Sequence, residues 1–91
     1  MAFELILTGR VQGVGCRWYC GHVGQRMGIR GAASNRDDGT VQVILATDDR
    51  AKAGAYASAL KENSFGLTFW GRIERVDLAE TGLSVCGDYS W

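Results

Sequence analysis

The sequence predicts an α+β sandwich: an antiparallel sheet, two helices on one face, and an additional C-terminal strand. Three observations carry this. Apolar residues alternate along several short segments with the period of a strand. Two intervening segments carry apolar residues at helical spacing. Glycines and aspartates stand where these segments end.

Residues 3–8 place Phe3, Leu5 and Leu7 on one face against Glu4, Ile6 and Thr8 on the other, a strand with one clearly apolar side. From 17 to about 27, Cys16, Cys20, Val23 and Met27 recur at helical spacing, and Gly28 occupies the C-cap position. Gly21 and Gly24 each cost that helix about 1 kcal/mol relative to Ala. Gly24 falls on the buried side, which implies close packing against a sheet. A second strand is predicted over 31–36, and Asp37, Asp38 and Gly39 form a hairpin turn into a third strand over 40–46. Thr47 or Asp48 is expected to cap a second helix with the stripe Ala53, Tyr56, Ala57 and Leu60, and Lys61 lies near its C-terminal end. A fourth strand is predicted over 72–78. Leu83, Val85, Gly87, Tyr89 and Trp91 then share one face of a last strand. The order β-α-β-β-α-β is the ferredoxin-like, split βαβ arrangement, which hosts unrelated functions, so the site must decide.

A length of 91 residues with 46% hydrophobic residues and no proline predicts a single domain over 1–91 with one core. Ten basic residues balance ten acidic ones, so no overall field recruits nucleic acid or an anionic membrane, and any anion recognition is local. The N-terminal apolar run is short, lacks a basic flank and contains Glu4, which is unlike a secretory signal; no stretch approaches the ~20 apolar residues of a membrane span. The expected location is the cytoplasm. The three cysteines, Cys16, Cys20 and Cys86, are an odd number that suits a reducing compartment, and all are expected as buried thiols.

The stretch GRVQGVGCRWYC, residues 9–20, places Gly9, Gly13 and Gly15 between a strand and a helix and follows them with Arg17. Successive backbone N–H groups leading into a helix N-terminus make an anion-binding concavity, and a guanidinium there offers a fork matched to phosphate oxygens. On glycine spacing alone the same residues equally describe a tight turn beside a solvated arginine. The spacing is neither that of a Walker loop nor that of a dinucleotide fingerprint.

This run, together with GAASN at 31–35, the turn at 37–39, VQV at 41–43 and RIERV at 72–76, resembles the acylphosphatase family over nearly the whole chain. The resemblance implies a phosphate cradle built from the backbone of Gln12, Gly13, Val14, Gly15 and Cys16, a substrate-binding Arg17 and a water-orienting Asn35. It implies hydrolysis of acyl phosphates to a carboxylate and inorganic phosphate, with no metal and no cofactor. Small-molecule acyl phosphate is the expected partner, with inorganic phosphate as product and inhibitor. The chain departs from the family pattern at Cys16 and Ala32, which replace aromatics, and at Thr47-Asp48, which replace Glu-Gly. These positions bear on packing rather than on the chemistry.

Other readings are weaker. Cys16, Cys20 and His22 form C-x3-C-x-H, but the helical placement of both cysteines towards a core argues against a metal site. RNA binding on such a sheet needs stacking aromatics and basic character, and the third strand, VQVIL, has neither. Phe65, Leu67, Phe69 and Trp70 are read as a covering flap over the core rather than a self-association patch, so a monomer is expected. The main alternative is a non-catalytic phosphate- or anion-binding module that keeps the cradle.

Overall fold

The computed structural model describes residues 2–91. Strand β1 (Ala2–Arg10) buries Phe3, Leu5 and Leu7 and turns the intervening side chains outwards, as its alternation dictates. It is central, pairing antiparallel with β3 (Val41–Leu45) on one side and β4 (Arg72–Thr81) on the other. Strand β2 (Gly31–Asn35) pairs with β3, and the short β5 (Tyr89–Ser90) pairs with β2. The sheet order is β4-β1-β3-β2-β5, the split βαβ topology with an added edge strand.

Helices α1 (Cys16–Met27) and α2 (Arg50–Glu62) pack on the sheet and against each other. Two buried phenols tie them reciprocally. The Tyr19 hydroxyl on α1 donates to the Leu60 carbonyl at 2.7 Å, and the Tyr56 hydroxyl on α2 donates to the Cys20 carbonyl at 2.7 Å. Each bond satisfies the polar tip of a ring whose body fills the core. Burial, with the Cys20 and Cys16 thiols nearby, pushes the Tyr19 phenol up to about 12; burial first, then Cys20, raises Tyr56 well above its ordinary value.

Several expectations need correction. Gly9 belongs to β1 rather than to the loop: the register shifts between Thr8 and Gly9, and a Cβ at Gly9 would lie 2.4 Å from the Arg72 carbonyl oxygen. The cap of α2 is Asp49, not Thr47 or Asp48. Its carboxylate accepts from the N–H groups of Ala51 and Lys52, while Thr47 Oγ1 accepts from the Asp49 N–H. Cys86 is exposed, unlike Cys16 and Cys20. The last strand is confined to Tyr89–Ser90, and Leu83 and Val85 are exposed at 51% and 39%.

Gly24 does meet a close neighbour, but it is the indole of Trp91. A Cβ at Gly24 would stand 2.2 Å from Trp91 Nε1, and one at Gly21 would stand 2.5 Å from the Tyr89 ring. Trp91 Nε1 donates to the Ile29 carbonyl at 2.8 Å, and the Trp91 N–H to the Gly31 carbonyl at 2.9 Å. The bare stripe on α1 is therefore a seat for the chain's last aromatics.

The connection from α2 to β4 divides. Asn63 closes it by exchanging hydrogen bonds with both backbone groups of Leu67, and Phe69 stacks on Tyr19 with centroids 4.4 Å apart. Leu67 and Phe69 cover the core as expected, whereas Phe65 and Trp70 do not and are exposed at 36% and 80%.

Candidate active site

The turn from β1 into α1 has positive φ at Gly13 (71°) and Gly15 (80°), with Val14 between them outside that region. This alternation turns successive N–H groups to one side, the geometry of an anion nest. Gly15 is the N-cap of α1 and provides no side-chain bond, and the first turn contains no acidic residue. Among the described residues, the N–H groups of positions 12–17 meet no protein acceptor. Two contacts fix the loop from outside. The Gln12 carboxamide donates to the Arg36 and Thr40 carbonyls at 2.6 and 2.9 Å, and the Trp70 N–H donates to the Val14 carbonyl at 2.9 Å.

Gln12 thereby joins the loop to the β2–β3 hairpin, whose first strand ends on Asn35. The Thr40 hydroxyl and N–H both donate to Asp38 in that turn and hold its carboxyl below the ordinary value. Asn35 and Arg17 line one cavity of about 240 Å³ with Gly13, Gly15 and Cys16. Asn35 Oδ1 is buried and has no hydrogen-bond partner among the described residues. An orphaned buried acceptor costs about 1–3 kcal/mol, so a ligand or water is its natural complement.

Arg17 is a cation in the first turn of a helix, the end where positive charge is unfavourable. Its Nη1 lies 3.4 Å from Asp88 Oδ2, and the same carboxylate oxygen accepts from the Asn35 N–H at 3.2 Å. Asp88 is held in turn by its own N–H, which donates to Ser34 Oγ at 3.0 Å. The neighbouring Gly87 permits this approach, since a Cβ there would sit 2.4 Å from that oxygen. Asp88 lines the cavity and was not found by sequence reasoning. Its partners lie 71 and 53 positions away, and no local pattern marks it.

The structure thus brings Gly13, Gly15, Cys16, Arg17 and Asn35 to one cavity. Gln12 and Val14 do not line it: the first spends its carboxamide on the hairpin and the second is buried. Of the C-x3-C-x-H residues, the two cysteines meet and His22 does not join them. Cys16 and Cys20 are buried, and a hydrogen bond to Cys16 followed by burial pushes the Cys20 thiol well up, whereas His22 stacks on Trp18 outside the core. A larger hollow of about 530 Å³, between the end of α2 and the start of β4, contains none of the expected site residues. Unpaired loop N–H groups beside Arg17 and the orphaned Asn35 acceptor, not volume, single out the smaller cavity.

A family model for acylphosphatase matches residues 3–84. The chain belongs to the acylphosphatase family. Among its relatives, the acylphosphatase of Latilactobacillus sakei subsp. sakei (strain 23K) is 41% identical over 75 residues, covering 82% of this chain and 77% of that protein. The acylphosphatase of Thiobacillus denitrificans is 36% identical over 87 residues, covering 96% of this chain and 88% of that one. In fold, the chain is similar to the crystal structure of acylphosphatase from Bacillus subtilis, with a TM-score of 0.71, 22% identity, and coverage of 91% of this chain and 87% of the other. Family membership makes the chain an acylphosphatase enzyme acting on small acyl phosphates. The loop, Arg17 and Asn35 lie inside the matched span, and Asp88 lies beyond it. No helix among the described residues is long and apolar enough to cross a membrane.

Proposed function

We propose that the chain hydrolyses acyl phosphates to a carboxylate and inorganic phosphate without a metal, through in-line attack by a water that Asn35 orients. In this reading the phosphoryl group is held by the backbone amides of the loop Gln12, Gly13, Val14, Gly15 and Cys16, of which Gly13, Gly15 and Cys16 line the cavity, and by Arg17. The observation that carries this reading is the unpartnered Oδ1 of Asn35, buried in the same cavity as Arg17 and the glycine loop. A carboxamide is no strong base, but its oxygen accepts from water and so fixes the direction of attack.

The rest follows from the chemistry of the substrate. An acyl phosphate is a mixed anhydride whose leaving group is a carboxylate, with a conjugate acid near pKa 4, so departure requires no general acid. Phosphoryl transfer is then catalysed by positioning and by stabilising charge on the equatorial oxygens. Unpaired amides at a helix start and a guanidinium supply that charge. A module that only bound phosphate has no use for an orphaned acceptor beside the anion, which weighs against the non-catalytic alternative.

The test is phosphate release from acetyl phosphate in the presence of EDTA by wild type, Arg17→Ala and Asn35→Ala. Arg17→Ala should lose phosphate affinity and turnover together. Asn35→Ala should lose turnover by about 10²–10³, the scale of one preorganised polar group, while inorganic phosphate still binds. Unaltered hydrolysis by either variant overturns the assignment.

A further inference from the structure

We propose that Trp18 forms an acyl-side wall of the pocket and makes it prefer phosphoryl ligands that carry an aromatic or bulky apolar group; this rests on the function proposed above. Trp18 follows Arg17 in the first turn of α1, lines the same cavity, and is 44% exposed. It lies outside the core cluster and leaves a large apolar surface accessible beside Arg17 and Asn35. The ring is held before any ligand arrives. It stacks on His22 with centroids 3.9 Å apart and planes 26° from parallel, and the ring nitrogen Nδ1 of His22 lies 3.0 Å from the Trp18 carbonyl oxygen.

A stacked indole is pre-ordered, so a second aromatic packing on it loses little additional freedom. Tyr89 lines the same cavity, and its ring is seated over the bare surface of Gly21, one turn along the helix from Trp18. The cavity of about 240 Å³ has room for about eight waters at ~30 Å³ each. A phosphate group has only five heavy atoms, so space remains for part of a substituent. In-line attack places the leaving carboxylate opposite the water. The acyl group therefore extends away from the water on Asn35, and Trp18 and Tyr89 are the large rings among the residues that line the cavity.

Calorimetric titration of phenylphosphonate and methylphosphonate into wild type, Trp18→Ala and Trp18→Phe reads the wall directly and without turnover. Wild type should bind phenylphosphonate roughly three- to tenfold more tightly than methylphosphonate, the range of an aromatic pair. Trp18→Ala should bring that ratio close to one, and Trp18→Phe should restore most of it. The ratio of kcat/KM for benzoyl over acetyl phosphate should fall in parallel for Trp18→Ala. Equal affinities in wild type, or an undiminished ratio in folded Trp18→Ala, overturns the inference. A wild-type protein that prefers phenylphosphonate yet hydrolyses neither substrate supports the wall and overturns the catalytic reading instead.

Discussion

Replacing Gly24 by alanine sets two effects of opposite sign against each other. Helix propensity alone favours alanine by about 1 kcal/mol. Against this, the new Cβ would stand 2.2 Å from Trp91 Nε1, 2.8 Å from Trp91 Cε2 and 3.1 Å from the Ile29 carbonyl oxygen, so the indole must leave its seat. That movement gives up the 2.8 Å bond from Trp91 Nε1 to Ile29, worth about 1 kcal/mol net. Overpacking of a filled site adds about 1–3 kcal/mol. The costs sum to about 2–4 kcal/mol, and Gly24→Ala should destabilise the protein by about 1–3 kcal/mol despite its propensity. In a Trp91→Ala background only the Ile29 carbonyl oxygen at 3.1 Å still crowds the new Cβ, so the same substitution should fall between neutral and a stabilisation of about 1 kcal/mol. Urea unfolding of the four members of this double-mutant cycle measures the reversal. Gly54→Ala in α2, where a Cβ meets nothing within 4 Å, supplies the control and should stabilise in either background. If Gly24→Ala stabilises the parent protein, the indole seat does not explain the glycine.

Asp88→Asn keeps an oxygen acceptor for the Asn35 N–H and Arg17 but removes a negative charge from an anion pocket. The pair is exposed, with side chains 39% and 52% accessible, so stability should change by less than about 1 kcal/mol. Inorganic phosphate should inhibit the variant up to about fivefold more strongly, given about 1.4 kcal/mol per factor of ten; weaker inhibition would show that the charge is needed to hold Arg17. At alkaline pH, Tyr19 at about 12 and Tyr56, also raised, both lie above the ordinary phenol value of about 10. Folded-state values above the unfolded one stabilise the protein fully below pH ~10, and that stability is lost as pH rises through the folded values. Absorbance titration alongside circular dichroism should show these phenols ionising only with unfolding between pH ~10 and ~12 or above; ionisation near 10 with secondary structure intact would refute their burial.

Legibility followed the range over which each signal acts. The β1 alternation and the two helical stripes are local, and each element formed where its period placed it. The loop, Arg17 and Asn35 were recognised because their residue types recur in a known pattern, although nothing local says that positions 17 and 35 meet. The last strand failed for a physical reason. Alternation records which side a residue takes in an extended chain, not whether a neighbouring strand is present, and only Tyr89, Ser90 and Trp91 find partners, in Ala33, Ala32 and Gly31. The cap moved to Asp49 because three successive residues could accept from the helix start, and backbone geometry chose among them. Asp88 was invisible because its role depends on Gly87 fitting against Ser34, a contact made only once the sheet has closed.

The two helix starts show how the chain distributes its compromises. At α2 the Asp49 carboxylate takes two backbone N–H groups, an arrangement worth about 1 kcal/mol over alanine. At α1 the cap is a glycine without a side chain, which is where the two starts differ; neither first turn has an acidic residue, and both contain cations, Arg17 in α1 and Arg50 and Lys52 in α2. Such a charge at that end costs about 0.3–1 kcal/mol. The orphaned Asn35 acceptor costs about 1–3 kcal/mol more. A sequence that caps one helix so fully has the means to cap the other, so the vacant donors of α1 are not a deficiency of composition. The departures at this corner face a single cavity: they leave donors and one acceptor unpaired, and they hold Arg17 only by an exposed 3.4 Å pairing with Asp88. In the proposed reaction a bound phosphoryl group would answer the donors and Arg17, and a water on Asn35 would answer the acceptor. On that proposal the local cost of about 2–5 kcal/mol would be offset only with both reactants present, which is the condition for preorganised catalysis.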